Sequence, residues 1–435
     1  MEHKILIVGT VPYNEKSTSR AFASYFTGME RENLAQVFSN TKAPVKGHCA
    51  TLYQITDQRL LKRCFHPKTA TGRVYDYEQL ADTWPDDDLE VGNAMVAALY
   101  RLGGHKNALT YWARKFLWKK KYWCTPEFNC WLERFDPDCV FLSFSDDFFI
   151  PQIALYIGEK FDIPILSSIG DDYYFSGRTW ASPLYHLYKQ AYRKLIRRVF
   201  AHGGSAIYIG DKIREQYNGV FGLKGETVYL ASSVPRRPFR PIDPKDPRIS
   251  YFGNIRCGRN RSLLEIANAL GRIDPKYHLD IYSNEQEPAY YRLFLRHPNV
   301  RFHGSIPYDQ VREKMRESDI LVIVEGFRRK DVEQTRYSLS TKVADSLSSG
   351  AALLAYGSGE CGTIGYAAST GCVATCTEKE KLEETIRNLL LDVPYQHRNY
   401  RLCAKVANQN HRLRQSTEIF RRLVDKVCKE YQDAK

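Results

Sequence analysis

Short apolar runs alternate with amphipathic stretches along the first half of the chain. KILIVGT (4–10) is rich in β-branched residues and stops at a glycine, the pattern of a strand buried on both faces of a parallel sheet. DCVFLSFS (138–145), IPILSSIG (163–170), SAIYIGD (205–211) and a short ETVYLAS read the same way. Between them the apolar residues take a helical period, in RAFASYFTGM, IPQIALYIGEKF and KIREQYNGVF, the first offered a cap by Ser17, Thr18 and Ser19. Strand and helix in alternation predict parallel βαβ units with right-handed crossovers.

The pattern breaks at PRRPFRPIDPKDP, where proline recurs at 235, 238, 241, 244 and 247. Proline fixes φ and has no amide proton, so this stretch is neither helix nor central strand, and its period of three fits polyproline II. It reads as a linker over 235–247. Alternation then restarts: strands at RISYFGNI (248–255), YHLDIYS (277–283), NVRFHGSI (299–306), ILVIVEG (320–326), AALLAYG (351–357) and GCVATC (371–376). Helices are expected near 262–270, over YDQVREKMRESD, at 341–349 and near 378–390, with a helical tail from about 399 to 432. The expected fold class is α/β, with two Rossmann-like domains facing a cleft. The expected domains are 1–234 and 248–405, followed by a terminal helix over 406–435. In open α/β sheets ligands sit beyond the carboxyl ends of the strands.

Length supports two domains, since 435 residues exceed what one core usually holds. With 43% apolar and 26% charged residues the composition is that of a soluble globular chain. The longest apolar candidate, CVFLSFSDDFFIPQIALYIG, is interrupted by Asp146 and Asp147, so no membrane span is expected. MEHKILIVGT enters a strand directly, so no signal peptide is read. Eleven cysteines are scattered without a disulfide framework or zinc spacing, which suits free thiols in a cytoplasm. The net charge of +13 favours a polyanion, an anionic membrane or a phosphate-bearing ligand. No nucleic-acid reading module accompanies it.

Two stretches of the second half suit a phosphate. In SLSTKVADSLSSGAALLAYG (338–357), Ser338, Ser340, Thr341 and Lys342 crowd the N-terminus of a short helix, where unpaired amides and the helix dipole favour an anion. Asp345, one turn in, has the reach to accept two ribose hydroxyls. The same residues also read as a capped helix with an i,i+3 Lys–Asp pair. In GNIRCGRNRSLLEIA, Arg256, Arg259 and Arg261 fall in the loop after a strand, with Gly253 and Gly258 permitting tight backbone.

YFGNIRCGRNRSLLEIANAL and DSLSSGAAL together resemble the donor domain of GT-B glycosyltransferases, close to the retaining family four (glycosyl transferases group 1). Its G-R-L-x-x-x-K-G motif would place Arg259 on the lysine and Asn254 on the arginine. Its E-x7-E motif would place Asp345 on the second Glu and Tyr337, a departure, on the first. The resemblance implies a nucleotide-diphosphate sugar donor, with Arg259, Arg261, Ser338, Ser340, Thr341 and Lys342 on the diphosphate and Asp345 on the ribose. It implies transfer to a hydroxyl acceptor with retention, without a metal or other cofactor, in cell-surface polysaccharide or glycoconjugate assembly. The resemblance also implies that 1–234 is the acceptor side, where the loop carrying Ser17, Thr18 and Arg20 would touch the acceptor or the donor phosphate, that 248–405 is the nucleotide-sugar donor domain, and that the terminal helix 406–435 crosses back to the first domain.

Asp171 and Asp172, after the strand IPILSSIG, are the candidate catalytic pair in the first half, with Asp146 and Asp147 competing and the alternative of a loop cap open. Asp136-Pro137-Asp138 reads as a turn rather than a metal motif. HKNALTYWARKFLWKKKYW (105–123) places Leu109, Trp112, Ala113, Phe116 and Leu117 on one helical face beside Arg114, Lys115 and Lys119–Lys121. Such a face suits an anionic membrane surface and a saccharide or lipid-linked acceptor, or a helix docked on its own domain. The competing functions are a GT-B-fold nucleotide-sugar epimerase and a degenerate, non-catalytic partner subunit.

Overall fold

The computed structural model describes residues 3–9, 11, 25–41, 44–82, 107–177 and 182–435. It divides into two compact units: Met1–Tyr208 with Arg214–Thr227 and Thr417–Lys435, and Ile209–Ile213 with Val228–Ser416.

The first unit is built on an eight-stranded sheet in the order β4-β3-β2-β1-β5-β6-β7-β8. Its strands are β1 (Ile5–Val8), β2 (Leu34–Phe38), β3 (Thr51–Ile55), β4 (Gly72–Asp76), β5 (Cys139–Ser143), β6 (Ile165–Ile169), β7 (Ser205–Tyr208) and β8 (Glu226–Thr227). All neighbours are parallel except β3 and β4. Every residue of β1 is buried, as an unbroken apolar run requires. The sequence pattern missed β2, β3 and β4. Gln36 and Gln54 interrupt the apolar runs of β2 and β3, yet both are buried, since Gln36 Nε2 donates to Val11 O (2.8 Å) and Gln54 Nε2 to Asn40 O (2.8 Å).

The second unit carries a parallel six-stranded sheet in the order β11-β10-β9-β12-β13-β14. Its strands are β9 (Ile249–Phe252), β10 (Leu279–Tyr282), β11 (Val300–Gly304), β12 (Ile320–Val324), β13 (Ala352–Tyr356) and β14 (Ala374–Cys376). This is the doubly wound order, and the direction of winding reverses between β9 and β12. One core lies under the helix Arg259–Ile273, around Leu263, Ile266 and Leu270. The other lies under the helix Lys342–Ser349, around Val343 and Leu347.

The proline run is not a linker between the units, because it lies inside the second one. Pro235, Pro238, Pro241 and Pro244 face solvent, while Val234, Arg237 and Ile242 are buried. Arg237 N donates to Ser349 O (3.0 Å) and Ile242 N to Gln396 Oε1 (3.1 Å). With the prolines on its outer side, the segment keeps its other amides for the body beneath. The expected single tail is two helices, Val393–Asn410 and Leu413–Asp433, interrupted at the buried His411. From Thr417 onward the tail belongs to the first unit. There Phe420 packs 5.4 Å from Tyr25, 5.0 Å from Phe26 and 5.8 Å from Phe141, measured between ring centres.

Candidate functional site

The point where the winding reverses brings the loop after β9 against the loop after β12. Gly253 leaves β9 at φ 142° and Gly258 caps the next helix at φ 79°, values that favour glycine. A Cβ at Gly258 would press on Asp331 and Gly326, and one at Gly253 would collide with the Lys342 side chain. The glycines therefore let two loops and the start of a third element approach within van der Waals contact.

Arg259 opens the helix after β9 and grips Glu325, at the end of β12, through two bonds of 3.0 Å. Glu325 is 1% exposed. Burial opposes the Arg259 charge, but the Glu325 carboxylate outweighs it and holds the guanidinium above its usual range. Arg256 binds Glu285 at 2.6 and 2.8 Å, and Arg261 lies 3.9 Å from Asp331. Each arginine of this loop thus faces a carboxylate. The loop is a charge-matched frame rather than an open basic patch. Sequence reasoning missed Glu325 and Asp331, although a glutamate closing the run ILVIV just before a glycine was a usable signal.

The helix Lys342–Ser349 starts one residue later than expected, and Thr341 adopts helical backbone without a side-chain cap bond. The mouth is fastened instead by Thr363, on the neighbouring helix Gly362–Ser369. Ser340 N donates to Thr363 Oγ1 (3.0 Å), which donates to Ser338 O (3.3 Å). Gly362 has no room for a Cβ, which would meet Ser338 O at 2.7 Å. Two helix N-termini therefore converge on the loop 338–341, with Thr341 exposed and Lys342 lying across Gly253. Converging amide ends with one lysine make a seat for an anion. Tyr337 is half-buried, with the Arg336 guanidinium 4.6 Å from its ring centre.

Asp345 is 3% exposed, and its Oδ1 accepts from Ser232 Oγ (2.8 Å). It belongs to a buried polar group with His411, whose Nδ1 lies 2.9 Å from Leu230 O and whose Nε2 lies 2.9 Å from Tyr366 Oη. Burial lowers the His411 pKa, keeping the ring neutral. Asp345 thus ties the helix to the segment after β8.

In the first unit, Ser17, Thr18 and Arg20 lie outside the described residues. Asp172 Oδ1 accepts from Phe175 N (2.8 Å) and Tyr217 Oη (2.8 Å), which is a loop cap. Asp171 is exposed beside Tyr173 Oη (3.4 Å). After β5, Asp147 pairs with Arg114, which also holds Asp57 (3.0 Å), and Tyr111 Oη donates to Asp146 (3.4 Å). Lys189, not singled out from the sequence, donates to Tyr173 O, and burial with the nearby Arg193 charge lowers its pKa to about 8. The strand ends of β5 and β6 thus carry carboxylates, tyrosines and one weakened lysine, a polar aromatic rim. Asp136 is the left-handed cap of the helix Pro126–Phe135, and Asp138 accepts from Lys4 N (2.8 Å), so the segment is a turn. On the helix Ala108–Leu117, Leu109 is 70% and Phe116 52% exposed, while Trp112 Nε1 donates to Leu184 O (3.0 Å). No group of three or more metal-ligating side chains occurs among the described residues. Among them, no helix is long and apolar enough to cross a membrane.

No protein-family model matches the chain, and no curated protein matches it. Solved structures do. Anabaena Alr3699/HepE in complex with UDP aligns over 97% of this chain and 100% of its own, at TM-score 0.61 and 10% identity. Sucrose-phosphate synthase from Thermosynechococcus elongatus aligns over 99% of both chains, at TM-score 0.59 and 9% identity. WaaG, a glycosyltransferase involved in lipopolysaccharide biosynthesis, aligns over 96% of this chain and 99% of its own, at TM-score 0.51 and 12% identity. At such identities the likeness is one of fold, and it spans nearly the whole length of each chain. The protein therefore has the GT-B fold of these glycosyltransferases.

Proposed function

We propose that the chain is a glycosyltransferase taking its sugar from a nucleotide-diphosphate donor. The observation that carries this reading is the convergence of two helix N-termini and Lys342 at the carboxyl edge of the second sheet. HepE, of the same fold, is described with UDP and with UDP-glucose, which supports the donor class. In this reading the side chains of Ser338, Ser340 and Thr341 and the Lys342 ammonium hold the diphosphate and stabilise it as it leaves, the Ser338 and Ser340 amides being engaged by Thr335 O and Thr363 Oγ1. The Arg259–Glu325 pair and the Arg261–Asp331 contact position that loop, and Arg259 supplies field without being a solitary cation. Asp345 reaches a ribose only by exchanging its bond to Ser232.

The acceptor would bind the first unit, with Asp171 the carboxylate placed to receive the acceptor proton. Transfer with retention, independence of metal and a role in surface polysaccharide or glycoconjugate assembly belong to the same proposal. So does an acceptor on a lipid at the inner face of a membrane, supported by exposed Leu109 and Phe116 flanked by Lys115 and Lys119. A second reading, a subunit that binds nucleotide without turnover, is favoured by Tyr337 at the position of the family's first Glu and by the sealed Asp345.

Calorimetric titration with UDP, GDP, CDP and ADP, in EDTA, tests the site. One diphosphate is expected to bind, with affinity lost in Lys342→Ala and weakened in Thr363→Val. If none binds, the donor site is refuted. Binding without sugar release from any nucleotide sugar would favour the second reading.

A further inference from the structure

The proline run 235–247 carries three arginines that the proposed reaction does not use, Arg236, Arg237 and Arg240. Their surroundings differ. Arg236 donates to Leu347 O (3.0 Å) and to Tyr400 O, with its guanidinium 4.1 Å from the Tyr400 ring centre. It thus caps the carboxyl end of the helix Lys342–Ser349, where carbonyls lack partners and the dipole is negative. Arg240 stands exposed and donates to Asp319 Oδ1 (2.9 Å) and to Glu317 O. Arg237 is only 7% exposed, and its Nε and Nη1 are buried with no hydrogen-bond partner among the described residues.

The carboxylate beside Arg237 does not answer its charge. Asp319 lies 3.9 Å from Arg237 Nη1, and both its oxygens are engaged elsewhere, Oδ1 by Arg240 and Oδ2 by Arg248 N (2.9 Å). Two guanidiniums therefore share one carboxylate, and one positive charge is left over in a place largely closed to water. Burial and the Arg240 charge lower the Arg237 pKa to about 10, which leaves it charged at neutral pH. An unpaired buried charge is strongly destabilising. The guanidinium lines a cavity at the amino ends of β12 and β13, shared with Arg240, Asp319, Asn399 and Tyr400. Its volume is about 10 Å³, room for one particle near the size of a water. Asn399 Oδ1 is also buried there without a partner, and a half turn of that amide would present its Nδ2 instead. Exposed Arg240 forms the outer wall, so the movement of one side chain opens the cavity to solvent. A water would satisfy N–H groups and leave the charge, whereas a small anion answers both.

We propose that Arg237, with Arg240 at the rim, holds a small monovalent anion of halide size. The ion ties the proline run to the amino edge of the second sheet and to the helix Val393–Asn410, which carries Asn399 and Tyr400. The run is then held down by charge as well as by its backbone amides. The site is independent of the nucleotide reading, because it lies at the opposite ends of the same strands.

The test joins a melting series to a diffraction experiment on the full chain. Sodium gluconate is replaced stepwise by sodium chloride or bromide at fixed ionic strength, and crystals grown in bromide are measured at the bromine absorption edge. The expected result is a saturating rise in melting temperature with halide and an anomalous peak beside Arg237. The rise is expected to be lost in Arg237→Met and kept in Lys342→Ala, which separates this site from the nucleotide seat. Since Arg237→Met removes an unpaired charge, it should melt no lower than the unmodified chain in gluconate. Coincident halide and gluconate curves would overturn the proposal, as would a rise that survives in Arg237→Met. Density in the cavity without a bromine signal would mean water and would overturn it too. The bromine map of the unmodified chain decides the question even if the methionine variant does not fold.

Discussion

Asp171 and Asp172 are neighbours in sequence and opposites in situation. Asp172 spends an oxygen on Phe175 N and Tyr217 Oη, while Asp171 stands exposed at the rim. Asp172→Ala should therefore cost about 1–3 kcal/mol in urea unfolding, the range for leaving the hydroxyl of buried Tyr217 without its acceptor. Unchanged stability with lost activity would return Asp172 to a chemical role. Lys189 carries a pH signature. Its folded pKa, about 8, lies below the ordinary lysine value, so between the two the unfolded chain binds more protons and stability rises with pH. Lys189→Met should flatten that rise between about pH 8 and 10.5, read as melting temperature against pH beside the unmodified chain. The sequence exposed Asp171 and Asp172 as a pair but not their division of labour, because that is decided by Tyr217, more than forty residues away. Asp345 was legible as a helix residue. That its carboxylate meets Ser232 depends on a segment 113 positions earlier, which no local pattern encodes.

At the scale of elements, most strands were readable, β10 and β11 included despite their polar residues, and those carrying a buried glutamine were not. β1, β5, β6 and β12 announce themselves, while β2 and β3 hide because a buried glutamine satisfied by backbone looks, in sequence, like a surface residue. The proline run, read as a spacer, lies inside the second unit and forms no helix or strand. Its period of three turns one side to water, and the same period turns Val234 and Arg237 inward. The loop after β9 offers a direct test. Gly253→Ala adds a Cβ at a φ of 142° and into the Lys342 side chain. The expected cost is about 1–3 kcal/mol, together with weaker nucleotide binding in calorimetry. Binding and stability both unchanged would mean that Lys342 does not rely on this glycine.

At the scale of the molecule, the charge of +13 misleads if it is assigned to the arginines of the loop after β9. Arg256, Arg259 and Arg261 each face a carboxylate, so that loop adds geometry more than net charge. Two-unit architecture was legible because alternation stopped and restarted. Where the units divide was not, since the tail from Thr417 completes the first of them. Phe420 is fully buried among Tyr25, Phe26 and Phe141. Phe420→Ala should cost about 3–5 kcal/mol, seen as a lowered midpoint of the unfolding transition that reports the first unit. A smaller loss would show that the tail is held mainly by its other contacts.

The divided first unit also has a consequence in time. A ribosome that has finished Thr227 must still make Val228–Ser416 before Thr417–Lys435 exists. At bacterial to eukaryotic rates of synthesis that interval is on the order of ten to forty seconds. Throughout it the nascent chain presents Tyr25, Phe26 and Phe141 without their ring partner, while the second unit has nearly all its sequence in one stretch. The half made first is thus finished last, and its aromatic face is where a chaperone would be expected to hold the growing chain.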